Sequence, residues 1–141
     1  MTRRQLRESI FKALFRIEFN DREEQMEQLE FHLQELAERK KSKTFSVEEE
    51  DLEYIRQKTM DIFQHLEEID TIIEEKVEGW NLNRIGKAEL TILRLAVYEI
   101  RLDENVPSKT AINEAVELTK QYCGEEAKGF INAILGQLVA D

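Results

Sequence analysis

The segment Leu90-Thr91-Ile92-Leu93-Arg94-Leu95-Ala96-Val97-Tyr98 is apolar nearly all round when wound as an α-helix. Only Lys87, Thr91, Arg94, Tyr98 and Arg101, at spacings of three and four, leave it a polar stripe. Such a helix belongs at the buried centre of a bundle, and the rest of the chain must supply the helices that cover it. One Pro and five Gly in 141 residues leave few places where those helices could break.

The flanking segments meet that demand. Leu6, Ile10, Phe11, Ala13, Leu14 and Ile17 form a stripe on a first helix that stops near Asn20-Asp21. A second, half-buried helix carries Met26, Leu29, Phe31, Leu33, Leu36 and Ala37; Arg39, Lys40, Lys41 and Lys43 suit its C-terminal end and the loop beyond. Ser46 and Glu49 have capping-box spacing and predict the start of a third helix, lined by Leu52, Ile55, Met60, Ile62, Phe63 and Leu66. A short fourth helix, or the bent continuation of the third, holds Ile69, Ile72, Ile73 and Val77 and ends at Gly79. Trp80 to Ile85 form a hinge before the central helix. Val106-Pro107-Ser108 then breaks the chain and starts a helix with Ala111, Ile112, Ala115, Val116, Thr119 and Tyr122 inward, and Gly124 supplies its C-terminal turn. Phe130, Ile131, Ile134, Leu135 and Leu138 pack the last helix. No segment alternates with strand period. The expected fold is all-α, a bundle of six to eight helices with short connections between antiparallel neighbours.

Three polar residues interrupt the apolar faces. Asn113 and Asn132 stand inside apolar helices, where a buried amide needs partners, and are read as ties between helices. Glu99 lies off the polar stripe of the central helix, placed to accept from backbone N–H groups near Thr110-Ala111.

Catalysis finds no support in the residue pattern, and no cofactor is implied. His32 and His65, each among Glu and Gln, read as solvated face residues, and Cys123 as a small buried one. Glu48-Glu49-Glu50-Asp51 suits a helix N-terminus and lacks the alternating Asp/Asn pattern and Gly turn of a calcium loop. A lone cysteine excludes an intrachain disulfide, no apolar run approaches the roughly 20 residues of a membrane span, and no signal-peptide core follows the N-terminal arginines. The expected setting is cytoplasmic. The net charge of −10 is unevenly placed. Residues 1–20 carry Arg3, Arg4, Arg7, Lys12 and Arg16 against only Glu8 and Glu18, whereas the following helices are strongly acidic. Screening over about 8–10 Å lets a local basic patch bind phosphate beside an acidic surface. Arg3, Arg4 and Arg7 therefore read either as such a patch or as a frayed, solvated terminus. Tyr122 and Phe130, flanking Gly124-Glu125-Glu126-Ala127-Lys128, read by periodicity as core.

Four blocks occur in order: Trp80-Asn81-Leu82-Asn83-Arg84-Ile85; Ile92-Leu93-Arg94-Leu95-Ala96-Val97-Tyr98-Glu99-Ile100; Ala111-Ile112-Asn113-Glu114-Ala115-Val116-Glu117-Leu118; and Phe130-Ile131-Asn132-Ala133-Ile134-Leu135. At these spacings the chain resembles the NusB family of bacterial transcription antitermination factors. Arg7-Glu8-Ser9 and Lys12-Ala13-Leu14-Phe15 extend the likeness to the first helix.

The resemblance implies two packed helical subdomains, residues 1–79 and 80–141, within a single domain. It implies an arginine-rich RNA-binding start, here Arg3, Arg4, Arg7 and Lys12, with Gln5 where members often carry another base. It places Lys120, Tyr122, Lys128 and Phe130 beside the RNA path, and Phe15 (a Tyr in many members) and Glu89 on the side of NusE, a small-subunit ribosomal protein. The implied function is joint binding, with NusE, of the boxA element in ribosomal RNA leader transcripts. Entry into the RNA polymerase elongation complex with other Nus factors follows, suppressing premature termination. Some members pair with themselves, which leaves a homodimer open. The alternative is a helical protein-interaction or scaffold module without RNA binding, which the acidic surface favours.

Overall fold

The computed structural model describes residues 1–77 and 82–140. Among them are seven α-helices and no strand: α1 (Arg3–Glu18), α2 (Arg22–Glu38), α3 (Glu49–Gln64), α4 (Leu66–Lys76), α5 (Lys87–Arg101), α6 (Ser108–Tyr122) and α7 (Ala127–Ala140). A 3₁₀ turn at Leu82–Arg84 precedes α5. The all-α expectation is met. The helix end expected at Gly79, the boundary expected near Gly79-Trp80 and the hinge residues Trp80 and Asn81 lie outside the described residues. Contacts among the rest divide the chain into compact units at residues 1–63 and 64–141.

In the first unit α1 packs on α2. The predicted stripe of α1 is buried at Ile10, Phe11, Ala13, Leu14 and Ile17, while α2 buries Leu29 and Leu33, in keeping with its charged sequence. Polar bonds fix the helices to one another. Arg16 reaches Gln28 and Glu35 of α2, each at 3.0 Å, and Arg56 of α3 forks onto both oxygens of Glu30 at 2.8 and 3.0 Å. The start of α3 differs from its expected position. Glu48, not Ser46, is the turning residue: its carbonyl accepts from Asp51 and Leu52, and its N–H donates to the Asp51 carboxylate at 2.9 Å. The reciprocal bond of a capping box is thus supplied by Asp51, two residues beyond the Glu49 that the spacing suggested. The acidic run remains in the first turn, where the macrodipole favours it.

In the second unit α5 is the centre, packed by α4, α6 and α7. Leu90, Ile92, Leu93, Leu95, Ala96 and Val97 are buried. Each large side chain so buried contributes about 1.5–3 kcal/mol relative to exposure. Of the polar stripe, Thr91 and Tyr98 are buried as well, and Thr91 donates to the Lys87 carbonyl at 2.8 Å. Arg94 pairs in bidentate fashion with Asp70 of α4 at 2.8 and 3.0 Å, tying α4 to the centre. Pro107 sits at the N-cap of α6, where its lost N–H is harmless, and Gly124 turns the chain after α6 with φ +93°, a conformation that other residues adopt only under strain.

Asn113 and Asn132 are not ties between helices: both are exposed. Helix α6 buries Ala111, Ala115, Leu118 and Thr119, and Asn113 lies on the opposite side. Ile112 and Val116 are only half-buried flanks, and counting them as core made the whole helix read as apolar. Asn132 likewise lies off the face of α7 formed by Ile131, Ile134, Leu135 and Leu138.

Candidate nucleic-acid interface

The basic start of α1 is held in place rather than frayed. Thr2 and Gln5 form a complete capping box: the Thr2 hydroxyl accepts from the Gln5 N–H at 3.1 Å, and the Gln5 side chain accepts from the Thr2 N–H at 2.9 Å. Gln5 also donates to the Thr44 carbonyl at 2.7 Å. The Met1 amino group donates to the Ser46 carbonyl at 3.0 Å and to Asp51 at 3.2 Å. Thr-x-x-Gln was legible as a cap. Gln5, read only as a missing base, is the residue that builds it.

On this anchored turn Arg3 and Arg4 are exposed and Arg7 is half-buried. No acidic residue shares the first turn. Cations at a helix N-terminus oppose the macrodipole by about 0.3–1 kcal/mol each, so the helix dipole does not account for the arginines. Lys12, one turn beyond Glu8, is bound to it at 3.2 Å across an exposed pair.

A second group lies in the other unit, around the turn from α6 to α7. Tyr122 has the angular position of a core residue but ends its helix, and its ring is 37% exposed. Phe130 is half-buried. Both nearby cations are engaged: Lys120 with Glu117 at 3.4 Å and Lys128 with Glu125. The hydrogen bond from Lys128 holds the Glu125 carboxyl below its ordinary range.

Phe15 is the middle ring of a ladder. It stacks on buried Phe11 at 6.2 Å between centroids and meets Phe19 edge-on at 5.1 Å. Phe19 is 61% exposed, an apolar tip that sequence reasoning missed although the four-residue spacing was there to find it. Glu89 is half-buried in the first turn of α5. Its carboxylate lies over Gly86, in the space a Cβ there would take, and would have to swing aside for a larger residue. It also meets the thiol of Cys123, which burial and then Glu89 push up to about 11. Replacing Glu89 with Gln removes the carboxylate charge that opposes thiolate formation. The Cys123 pKa should fall yet stay above its ordinary value, because burial is the larger cause. The pH dependence of thiol alkylation measures this, and an unmoved profile would remove Glu89 from the Cys123 environment.

His32 is not a solvated face residue. It is half-buried and shares a 2.9 Å hydrogen bond with the buried Ser9 hydroxyl. Burial, then the Arg16 charge, lowers its pKa, so the ring is neutral at pH 7. His65, at the N-cap of α4, is also half-buried. Among the described residues no group of three or more His, Cys, Asp or Glu could hold a metal ion, and no helix is long and apolar enough to cross a membrane.

Two helical units bearing cationic and aromatic surface groups define a helical recognition protein. The sequence profile of the NusB family matches residues 4–140, and the chain belongs to that family of transcription antitermination factors, which are RNA-binding proteins and not enzymes. Similar proteins include the transcription antitermination protein NusB of Agathobacter rectalis, 43% identical over 137 residues, with 97% of this chain and 98% of that protein covered. The same protein of Lachnoclostridium phytofermentans is 44% identical, with 99% of each covered. Among solved structures, T. maritima NusB aligns with a TM-score of 0.81 at 30% identity, covering 100% of this chain and 92% of that one. A complex of the antitermination factors NusB and NusE with dsRNA aligns with a TM-score of 0.78 at 26% identity, covering 99% and 98%.

Proposed function

We propose that this chain acts by assembly in the cytoplasm: it binds boxA RNA of ribosomal RNA leader transcripts together with NusE, joins the RNA polymerase elongation complex with other Nus factors, and promotes processive transcription of ribosomal RNA operons. The observation that carries this reading is the anchored, arginine-bearing first turn of α1 on a chain whose net charge is −10. Arg3, Arg4, Arg7 and Lys12 contact phosphates there. Lys120, Lys128, Tyr122 and Phe130 form a second contact region, in which the exposed Tyr122 ring stacks on a base. Phe15 and Glu89 serve the NusE side, with Phe19 extending the aromatic contact. The NusB–NusE complex with dsRNA, which aligns along nearly the whole chain, supports this reading.

The mechanism needs no covalent chemistry. Two weak RNA surfaces, one on each protein, become one composite surface whose second contact is intramolecular. Filter binding of boxA RNA to the chain, to NusE and to the pair tests it. The pair should bind on the order of a hundredfold more tightly than either alone. A chain that retains NusE while the pair gains nothing for RNA would instead be a protein-interaction module. A homodimer covering the basic turn would weaken RNA binding as chain concentration rises.

A further inference from the structure

Between α1, α2 and the loop after α2 lies an open groove of about 530 Å³ that shares only Lys12 with the contacts proposed above. Its volume falls within the roughly 300–1,000 Å³ of small-molecule sites, enough for a nucleoside. Ser9 and His32 form its deep side, joined at 2.9 Å. A neutral imidazole carries one donor and one acceptor, and with a hydroxyl beside it suits the edge of a base better than an anion. Lys12 and Arg16 line the same groove, held by Glu8 at 3.2 Å and Glu35 at 3.0 Å. Exposed ion pairs of this kind contribute little, so Lys12 can exchange Glu8 for a phosphate, and Arg16 can exchange Glu35 while its bond to Gln28 continues to tie α1 to α2. The Arg39 guanidinium, which also lines the groove, covers the buried Phe45 ring at 4.0 Å from its centre. The outer face of a guanidinium plane is a surface on which an unpaired base stacks. Arg4, Glu8 and Lys12 follow one another at four-residue spacing on α1, so the groove begins about one turn from Arg4 and includes Lys12.

We infer that this groove is a subsite for one unpaired nucleotide of a single-stranded RNA laid along α1, with its base against Ser9 and His32 and its phosphates at Lys12 and Arg16. This rests on the RNA-binding reading above. A base held here is a source of sequence preference that the arginine contacts alone lack.

The test uses the chain with NusE and a short single-stranded RNA carrying boxA, with affinity measured by fluorescence anisotropy at several salt concentrations. Leu36→Trp fills the groove from its half-buried wall, one helical turn from His32. It should weaken binding by at least about tenfold, the loss of one stacked base, and lower the salt slope by no more than the roughly 1.4 that two phosphate contacts carry. In the unsubstituted protein, the His32 ring resonances should shift on adding RNA and not on adding inorganic phosphate. RNA affinity untouched by Leu36→Trp, or His32 resonances unmoved by bound RNA, would overturn the subsite while leaving RNA binding standing. Leu36→Trp that weakens NusE binding alone would also overturn it, making the groove a protein contact. An unsubstituted protein that binds no RNA at any salt removes both readings together.

Discussion

Replacing Arg3, Arg4 and Arg7 together with Ala should weaken boxA binding by on the order of a hundredfold at low salt and flatten its salt dependence. On single strands each lost phosphate contact removes about 0.7 from the slope of log affinity against log salt, so three lost contacts remove about 2. The fold should not suffer. The turn is capped by Thr2 and Gln5 and tied down by the Met1 amine, and the arginine charges oppose the helix dipole. The melting temperature should therefore change little while RNA binding falls. Calorimetry with anisotropy at three or more salt concentrations measures both. An unchanged slope in the triple variant would show that the basic turn is not where the RNA backbone lies.

The size of that effect follows from where the charge sits. Acidic groups farther than about 8–10 Å from the basic turn cannot cancel it, because their field is screened at ordinary salt. Close carboxylates can, and Glu8 does so for Lys12 at 3.2 Å. Lys12→Ala alone should thus change the slope by less than about 0.7, the value of one full phosphate contact. Glu117 and Glu125 stand in the same relation to Lys120 and Lys128, which leaves the Tyr122 ring as the principal contribution of that region.

What could be read without coordinates was what periodicity and breakers encode. An all-round apolar helix had to be central, and α5 is. Gly124 had to turn the chain, and it does so at positive φ. Periodicity was weakest where a helix ends or where a flank is half-buried. Tyr122 has a core angle but no core above it, since α6 stops there. Asn113 has apolar neighbours that are themselves half-exposed. The groove beside α1 was not legible at all: Ser9 and His32 are 23 residues apart on different helices, and their bond exists only once α1 and α2 pack. The cap of α3 was misread by two residues because several acidic residues compete for the same role, and the one that reaches the free N–H is decided in three dimensions.

The contrast between core and surface gives the largest expected stability effect. Leu93 on α5 is fully buried at the centre of the second unit. Leu93→Ala should cost about 2–5 kcal/mol, the lost transfer energy together with the cavity left behind. That is a large share of the roughly 5–15 kcal/mol that holds a domain folded. Asn113, exposed on the far side of α6, offers the opposite case. Asn113→Leu should stay within about 0.5 kcal/mol of the parent, since surface substitutions away from special contacts rarely exceed that. Denaturant unfolding of both variants measures the difference. A loss of several kcal/mol in Asn113→Leu would mean that its amide does bind a second helix and that its exposed position misrepresents its role. A stable Asn113→Leu that loses boxA or NusE would place this face of α6 in the recognition surface, because an exposed amide can affect binding without affecting the fold only by touching the partner.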